Sequence, residues 1–247
     1  MPRLWHPAPT VHHRGRPRSP PWGRPLAVAH VFDYGGGVDF QGTLFATDPG
    51  PEAGHLAPLA PHVERRALAH GAWIDVRRDW LGALSDDVME ALVRRVPWRA
   101  ERRQMYERVV DVPRLLHTYG AGEPLPHTAL EEARDALSAH YADELGEPFT
   151  TAGCCFYRDG SDSVAWHGDT IGRGSTHDTM VAIVSVGDPR RLALRPRGGG
   201  ASIAVTMGHG DLVVMGGSCQ RTWEHAVPKV AHAGPRLSVQ FRPAGVF

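Results

Sequence analysis

After Pro148 the chain breaks into short runs of β-branched and apolar residues, and this rhythm limits what it can fold into more than any other feature. The runs are FTTAGCCFYRDG, SVAWHGD, TMVAIVSVG, RLALRPRGGG, ASIAVTMGHG, DLVVMGG, TWEHAVP and RLSVQFRP. Gly, Asp or Pro turns separate them at about the 8–12-residue spacing of a sandwich or jelly roll. A chain of 247 residues with 42% hydrophobic side chains can bury a sizeable core in one such domain. The C-terminal part is therefore expected to be all-β, with no strong internal repeat.

Upstream the pattern is mixed. Residues 1–25 are rich in Pro and Arg and have no hydrophobic period, which predicts a disordered arm. Residues 26–60 stay rich in Gly and Pro and are expected to be weakly structured. A single domain is then expected over 61–247. A short helix or turn leads into a strand near Ala72–Arg77. SDDVMEALVRRV reads as a helix with Ser85 as its cap, Val88, Leu92 and Val96 at helical spacing, and Pro97 as its stop. MYERVVDVPRLLHTYG reads as strand, turn at Pro113, then strand to Tyr119. In PHTALEEARDALSAHYADELG, Leu130, Ala133, Leu137 and Tyr141 share one helix face and Gly146 ends it. The fold class is mainly β with α additions (α+β), the helices covering the outside of the β part.

Formal net charge is zero, so no global field steers the chain toward a polyanion. Lys229 is the single lysine among 27 cationic side chains, so local positive patches are made of planar, bidentate arginine. Cys154, Cys155 and Cys219 are odd in number and form no C-x-x-C, which predicts free thiols in a reducing cytoplasm. Their spacing does not fit zinc, and small buried residues are the expected role. No apolar run reaches the roughly 18–20 residues that cross a bilayer. A soluble, cytoplasmic monomer is expected.

The chemistry concentrates in VAWHGDTIG, where His167 and Asp169 stand two apart with Gly168 between them. On a strand such residues share a face, and glycine removes bulk there and lets the backbone bend. Two ligands on one face call for a third to complete a 2-His-1-carboxylate site with open positions. His225, in the strand-like run after Trp223, is the preferred third ligand. The competing His177, His209 and His232 sit in loops, where imidazoles are usually solvated. Arg236 and Arg242 are six apart on one predicted strand and share a face. A buried arginine needs an anion, either an ordinary structural ion-pair partner or, beside a metal, a dicarboxylic co-substrate.

With ligands and arginines in this order, the part from about Gly153 to Pro243 resembles the AlkB family of iron(II)- and 2-oxoglutarate-dependent dioxygenases. The segments that carry the resemblance are FYRDGSDSVAWHGD, IVSVGDPRRLALRPRGGG, GHGDLVVMGGSCQRTWEHAVPK and GPRLSVQFR, with VVDVPRLLHTYG upstream. The resemblance implies a double-stranded β-helix, a jelly roll, over about 149–243, with a nucleotide-recognition lid over about 72–125. It implies Fe(II) held by His167, Asp169 and His225, with 2-oxoglutarate and O2 as co-substrates. Arg236 would pair with the distal carboxylate, Tyr157 would also bond the co-substrate, and Arg242 would lie near its metal-binding end. Three positions depart from the family: Cys155 and Ser238 stand where asparagine is common, and Ile171 where an acidic residue is common.

The activity so implied is oxidative dealkylation of N-alkylated bases in nucleic acid, with DNA favoured and repair of alkylation damage as the role. RNA, a protein or a small molecule on the same scaffold is the alternative, and a binding module with a decayed site is a third. A base inside a duplex must be flipped or already single-stranded. Trp98 and Tyr106 are candidates to stack on it, and Arg99, Arg102 and Arg103 to hold phosphates. Arg190, Arg191, Arg195 and Arg197 form a second candidate phosphate wall. The lesion, the strand state and the choice of DNA or RNA stay open.

Overall fold

The computed structural model describes residues 54–105 and 108–246. The expected arm over 1–25 and the stretch from 26 to 53 lie outside them. Among the described residues there are twelve strands: β1 (Glu64–Ala67), β2 (Ala72–Arg77), β3 (Arg99–Met105), β4 (Arg108–Tyr119), β5 (Thr151–Tyr157), β6 (Val164–His167), β7 (Val181–Gly187), β8 (Arg190–Pro196), β9 (Ile203–Met207), β10 (Asp211–Gly217), β11 (Trp223–Val227) and β12 (Arg236–Arg242). They form an eight-stranded sheet, β1-β2-β10-β7-β12-β5-β4-β3, and a four-stranded sheet, β6-β11-β8-β9. From β5 onward the chain alternates between the two sheets, except at the β8–β9 hairpin, which stays in the small one, and this is the winding of a double-stranded β-helix. All eight C-terminal runs form strands where their alternation and turns place them.

The large sheet is covered on both faces, so its central strands are almost continuously apolar. In β7, Ala182, Val184 and Val186 face the helices, while Val181 and Ile183 face the small sheet. In β10, Leu212 and Val214 face the helices and Val213 and Met215 the small sheet. The helical cover consists of α1 (Ser85–Arg95), α2 (Thr128–His140) and α3 (Ala142–Leu145). Val88, Leu92, Leu130, Ala133 and Leu137 are buried there, as their spacing predicts. Gly146 closes α3 in the left-handed region, at φ 74°.

Four local readings change. Ser85 is the first residue of α1 rather than its cap: a 3-10 turn over Gly82–Leu84 runs straight into the helix, so no side-chain cap is needed, and the Ser85 hydroxyl has no partner. α2 and α3 are separate because the chain leaves helical geometry at Tyr141. β1 and β3 are strands despite the arginine-rich sequences ERRA and RAERRQM, because an edge strand needs pairing on one side only and leaves charges in water. Pro113 interrupts nothing: β4 is one strand of 12 residues. Pairing with β5 begins only at Leu115, and the register of β3 shifts opposite this point, so the missing N–H of Pro113 is not required by either neighbour.

Candidate active site

β12 places the charged part of the site by parity. Leu237, Val239 and Phe241 pack toward the helices, so Arg236, Ser238, Gln240 and Arg242 point between the sheets. Register on β5 sets Tyr157 beside Arg236 and Cys155 beside Ser238. From the other sheet, β11 pairs with β6 so that His225 lies directly across from His167. The two imidazole rings are 4.2 Å apart at their centroids.

Asp169 reaches the same point by a different route from the one its spacing suggests. β6 ends at His167, and a turn closed by the Thr170 N–H donating to Gly168 O carries Asp169 inward to a buried position. Gly168 is required here. A Cβ on it would lie 2.4 Å from Arg197 Nη2 and 2.6 Å from the Gln220 carbonyl oxygen. Gly174 likewise makes room, since a Cβ there would lie 2.1 Å from Asp169 O.

One ligand atom from each of His167, Asp169 and His225 lies within 4.8 Å of the others, and among the described residues no other group of His, Cys, Asp and Glu is so placed. His177, His209 and His232 stay outside it; His209 instead accepts from the Gly187 N–H at 2.9 Å. The His167 Nδ1 lies 2.9 Å from the Ala165 carbonyl, which can only accept. Nδ1 therefore carries the proton and Nε2 is free to bind a metal. Burial first, and then the neighbouring His167, push His225 down to about 3, so this imidazole is neutral at physiological pH. Burial also lowers His167, against the opposing pull of Asp169.

Burial alone would raise the Asp169 carboxyl, but Arg242 and His225 hold it below the usual carboxylate range. Arg242 Nε donates to Asp169 Oδ2 at 2.7 Å, which leaves Oδ1 on the side of His167, 3.9 Å from its Nε2. The Asp169 N–H donates to Gln220 Oε1 at 3.0 Å, from the short helix α4 (Cys219–Thr222). Two neutral imidazoles and an oriented carboxylate are a donor set suited to Fe(II).

Beside this triad Arg236 is buried, and it forms no ion pair with a carboxylate among the described residues. Its Nε donates to Ser185 Oγ at 3.0 Å, and its guanidinium carbon lies 4.9 Å from the Tyr157 ring centre. Burial, and then Cys155, raise the Tyr157 hydroxyl to about 12, against Arg236 and Arg114, so it is a donor at neutral pH. The two departures on this floor are joined: Cys155 Sγ donates to Gln240 Oε1 at 3.6 Å, and Gln240 Nε2 donates to Ser238 Oγ at 2.6 Å. At the mouth, Ile171 is 70% exposed, and Trp166 stacks under Arg195 at 4.3 Å.

The substrate candidates divide. Trp98 packs on Phe156 at 5.5 Å and donates through Nε1 to Leu92 O. Phe156 points to the helix side of β5, opposite Tyr157, so Trp98 belongs to the outer core and does not offer its ring to a base at the triad. Its burial was hidden because an aromatic just after a helix can pack to either side. Arg99 is exposed on edge strand β3, and Arg102 pairs with Asp111 at 3.2 Å. Tyr106 lies outside the described residues. Within the second arginine group, Arg191 and Arg197 are exposed and Arg195 pairs with Glu224, but Arg190 is buried and cannot meet a phosphate. Cys154, Cys155 and Cys219 are buried and free, as expected. Gln220, Ser185 and Arg114 were not foreseen; no local motif marks residues whose role is to touch a ligand brought from another strand.

This winding, with two histidines and an aspartate converging inside it, defines an oxygenase of the iron and 2-oxo-acid type. The sequence model of the 2OG-Fe(II) oxygenase superfamily matches residues 84–242, and the chain belongs to that superfamily. Its relatives lie in the AlkB family, in agreement with the resemblance seen in the sequence. The alpha-ketoglutarate-dependent dioxygenase alkB homolog 3 of Homo sapiens is 28% identical over 207 residues, which cover 74% of this chain and 68% of that protein. The DNA oxidative demethylase ALKBH2 of Arabidopsis thaliana is 31% identical over 134 residues, 44% of this chain and 42% of that protein. Among solved structures, OsALKBH1 superposes with a TM-score of 0.53 at 16% identity, over 73% of this chain and 100% of the other. A prolyl hydroxylase from Trichoplax adhaerens superposes with a TM-score of 0.53 at 12% identity, over 69% and 82%, and shares the fold.

Proposed function

We propose that this chain is an Fe(II)- and 2-oxoglutarate-dependent dioxygenase that oxidatively dealkylates N-alkylated bases in nucleic acid, with alkylated DNA the favoured substrate. The observation that carries the reading is the triad within 4.8 Å, set beside a buried Arg236 that has no carboxylate partner among the described residues. Iron with 2-oxoglutarate and O2 supplies the oxidation, which puts one oxygen into the N-alkyl C–H bond and yields succinate and carbon dioxide. His167, Asp169 and His225 would hold the metal, a donor set that leaves room for co-substrate and oxygen. Arg242 orients the carboxylate ligand through Oδ2. Arg236 and the Tyr157 hydroxyl would receive the co-substrate's distal carboxylate. The hydroxylated N-alkyl group then breaks its C–N bond, releasing an aldehyde and restoring the base.

The test is succinate formation by protein supplied with Fe(II), 2-oxoglutarate and a methylated single-stranded oligonucleotide. His167→Ala protein and an unmethylated strand are the controls. Succinate and demethylated product that appear together, and vanish in both controls, are the expected result. Turnover indifferent to the oligonucleotide would redirect the search to a protein or small-molecule substrate. No succinate under any condition would overturn the oxygenase reading itself.

A further inference from the structure

Arg190 begins β8, and its guanidinium is as fully buried as that of Arg236. It is tied by backbone carbonyls alone. Nη1 donates to Asp159 O at 3.1 Å, and Nη2 donates to Asp162 O and to Pro228 O, each at 2.8 Å. Its Nε is buried and has no partner. The nearby Asp162 carboxylate is engaged by Arg158, which donates to both of its oxygens at 2.8 Å. Carbonyls satisfy a guanidinium's hydrogen bonds but do not neutralise its charge, and a buried cation without a counter-ion is costly.

The position of this charge gives it a use. The Arg190 guanidinium carbon is 5.7 Å from the Tyr157 ring centre, against 4.9 Å for Arg236. Two buried cations thus flank one tyrosine, and neither has a carboxylate partner among the described residues. Arg190 feels Arg236: burial first, and then the charge of Arg236, lower it from the usual arginine range, against the weaker opposing pull of Tyr157, Asp162 and Asp159. An anion arriving at Arg236 relieves both.

We propose that Arg190 is a positioning residue for the co-substrate, a second buried cation whose field, transmitted past Tyr157, favours a 2-oxo acid with a distal carboxylate over one without. The proposal rests on Arg236 receiving that carboxylate. Arg190 itself stays on its three carbonyls and does not touch the ligand, so it contributes selectivity through charge. A purely structural role, clamping the connection between β5 and β6 to the end of β11, predicts a different pattern.

The experiment is calorimetric titration of the anaerobic Fe(II)-loaded protein with 2-oxoglutarate and, separately, with 2-oxobutyrate, which lacks the distal carboxylate. Arg190→Met is expected to weaken 2-oxoglutarate by about tenfold, the size of a through-space charge effect at an interior site, and to leave 2-oxobutyrate unchanged. Arg190→Lys, which keeps the charge without the fork, should restore most of the selectivity. If Arg190→Met does not fold, Arg190→Gln, neutral but still a donor to carbonyls, takes its place. Equal weakening of both acids, or no weakening of either, would overturn the proposal, as would a lysine variant that loses selectivity like the neutral one. Arg236→Met is titrated alongside. Undiminished 2-oxoglutarate binding there would overturn the reading of Arg236, whereas loss there with no change in Arg190→Met would remove Arg190 alone.

Discussion

β12 is covered on both sides, with Leu237, Val239 and Phe241 against the helices and Arg236, Ser238 and Gln240 buried between the sheets. β6, whose following turn meets it through the Arg242–Asp169 pair, has four residues at the edge of the small sheet, with Ala165 and Trp166 at the surface. The side chain of its His167 is 40% exposed, whereas His225 on the neighbouring β11 is buried. The difference separates two tasks. Fixed charges gain strength where water is excluded, so the arginines sit on a strand clamped by apolar packing on its other face. A histidine proposed to share a metal with incoming molecules sits where solvent can reach it.

The contrast breaks most sharply at the buried ligand. His225→Ala should lose bound iron and reduce succinate formation to background, read by metal analysis and product assay; retained turnover would mean that the triad is not the metal site. On the outer face of β12, Phe241→Ala should destabilise the fold by about 3–5 kcal/mol in a denaturant melt. A loss well below that would show that β12 is not the rigid member. On the inner face of the same strand, Arg242→Met frees Asp169 Oδ2 and should weaken metal binding by roughly 10–100-fold while leaving most of the stability in place.

On the β6 side, Gly168→Ala pushes a Cβ toward Arg197 and the Gln220 backbone, and should cost about 1–3 kcal/mol through overpacking. Because the turn carries Asp169, metal affinity should fall with it; unchanged affinity would show that the loop gives way freely. The smallest effect is expected at Asp162, before β6. Hydrogen bonding from Arg158 holds this carboxyl below its ordinary value. Its contribution is present above the unfolded pKa of about 3.9 and fades as pH falls through the lower folded value. With Arg158 half exposed, the pair is worth no more than about 1 kcal/mol. Asp162→Asn should therefore lower stability at pH 7 by up to about 1 kcal/mol and flatten the acid limb of a stability-versus-pH curve, the difference from the native protein vanishing below the folded value.

The C-terminal strands were legible because alternation and Gly, Asp or Pro turns are properties of neighbouring residues. So were the three residues of the triad, which the structure brings together, and the shared face of Arg236 and Arg242, since both lie on one strand and parity settles the side. Edge strands β1 and β3 were not legible: their arginines satisfy no period, and only the presence of a sheet to pair with makes them strands. Pro113 misled for the same reason, because the cost of a missing N–H depends on whether a neighbour asks for it.

The sequence by itself determined the eight strands after Pro148 and the parity of β12, which follow from spacing along the chain, and the donor set of His167, Asp169 and His225, which follows from residue type and a strand-like context. Tertiary structure alone decided which charges are paired. It joined Arg242 to Asp169, sent Trp98 to the outer core, and buried Arg190 beside Tyr157 while Arg191 next to it stayed in water. Hydrogen bonds and Coulomb interactions depend on distance through space, and only the folded chain brings residues 73 positions apart to 2.7 Å.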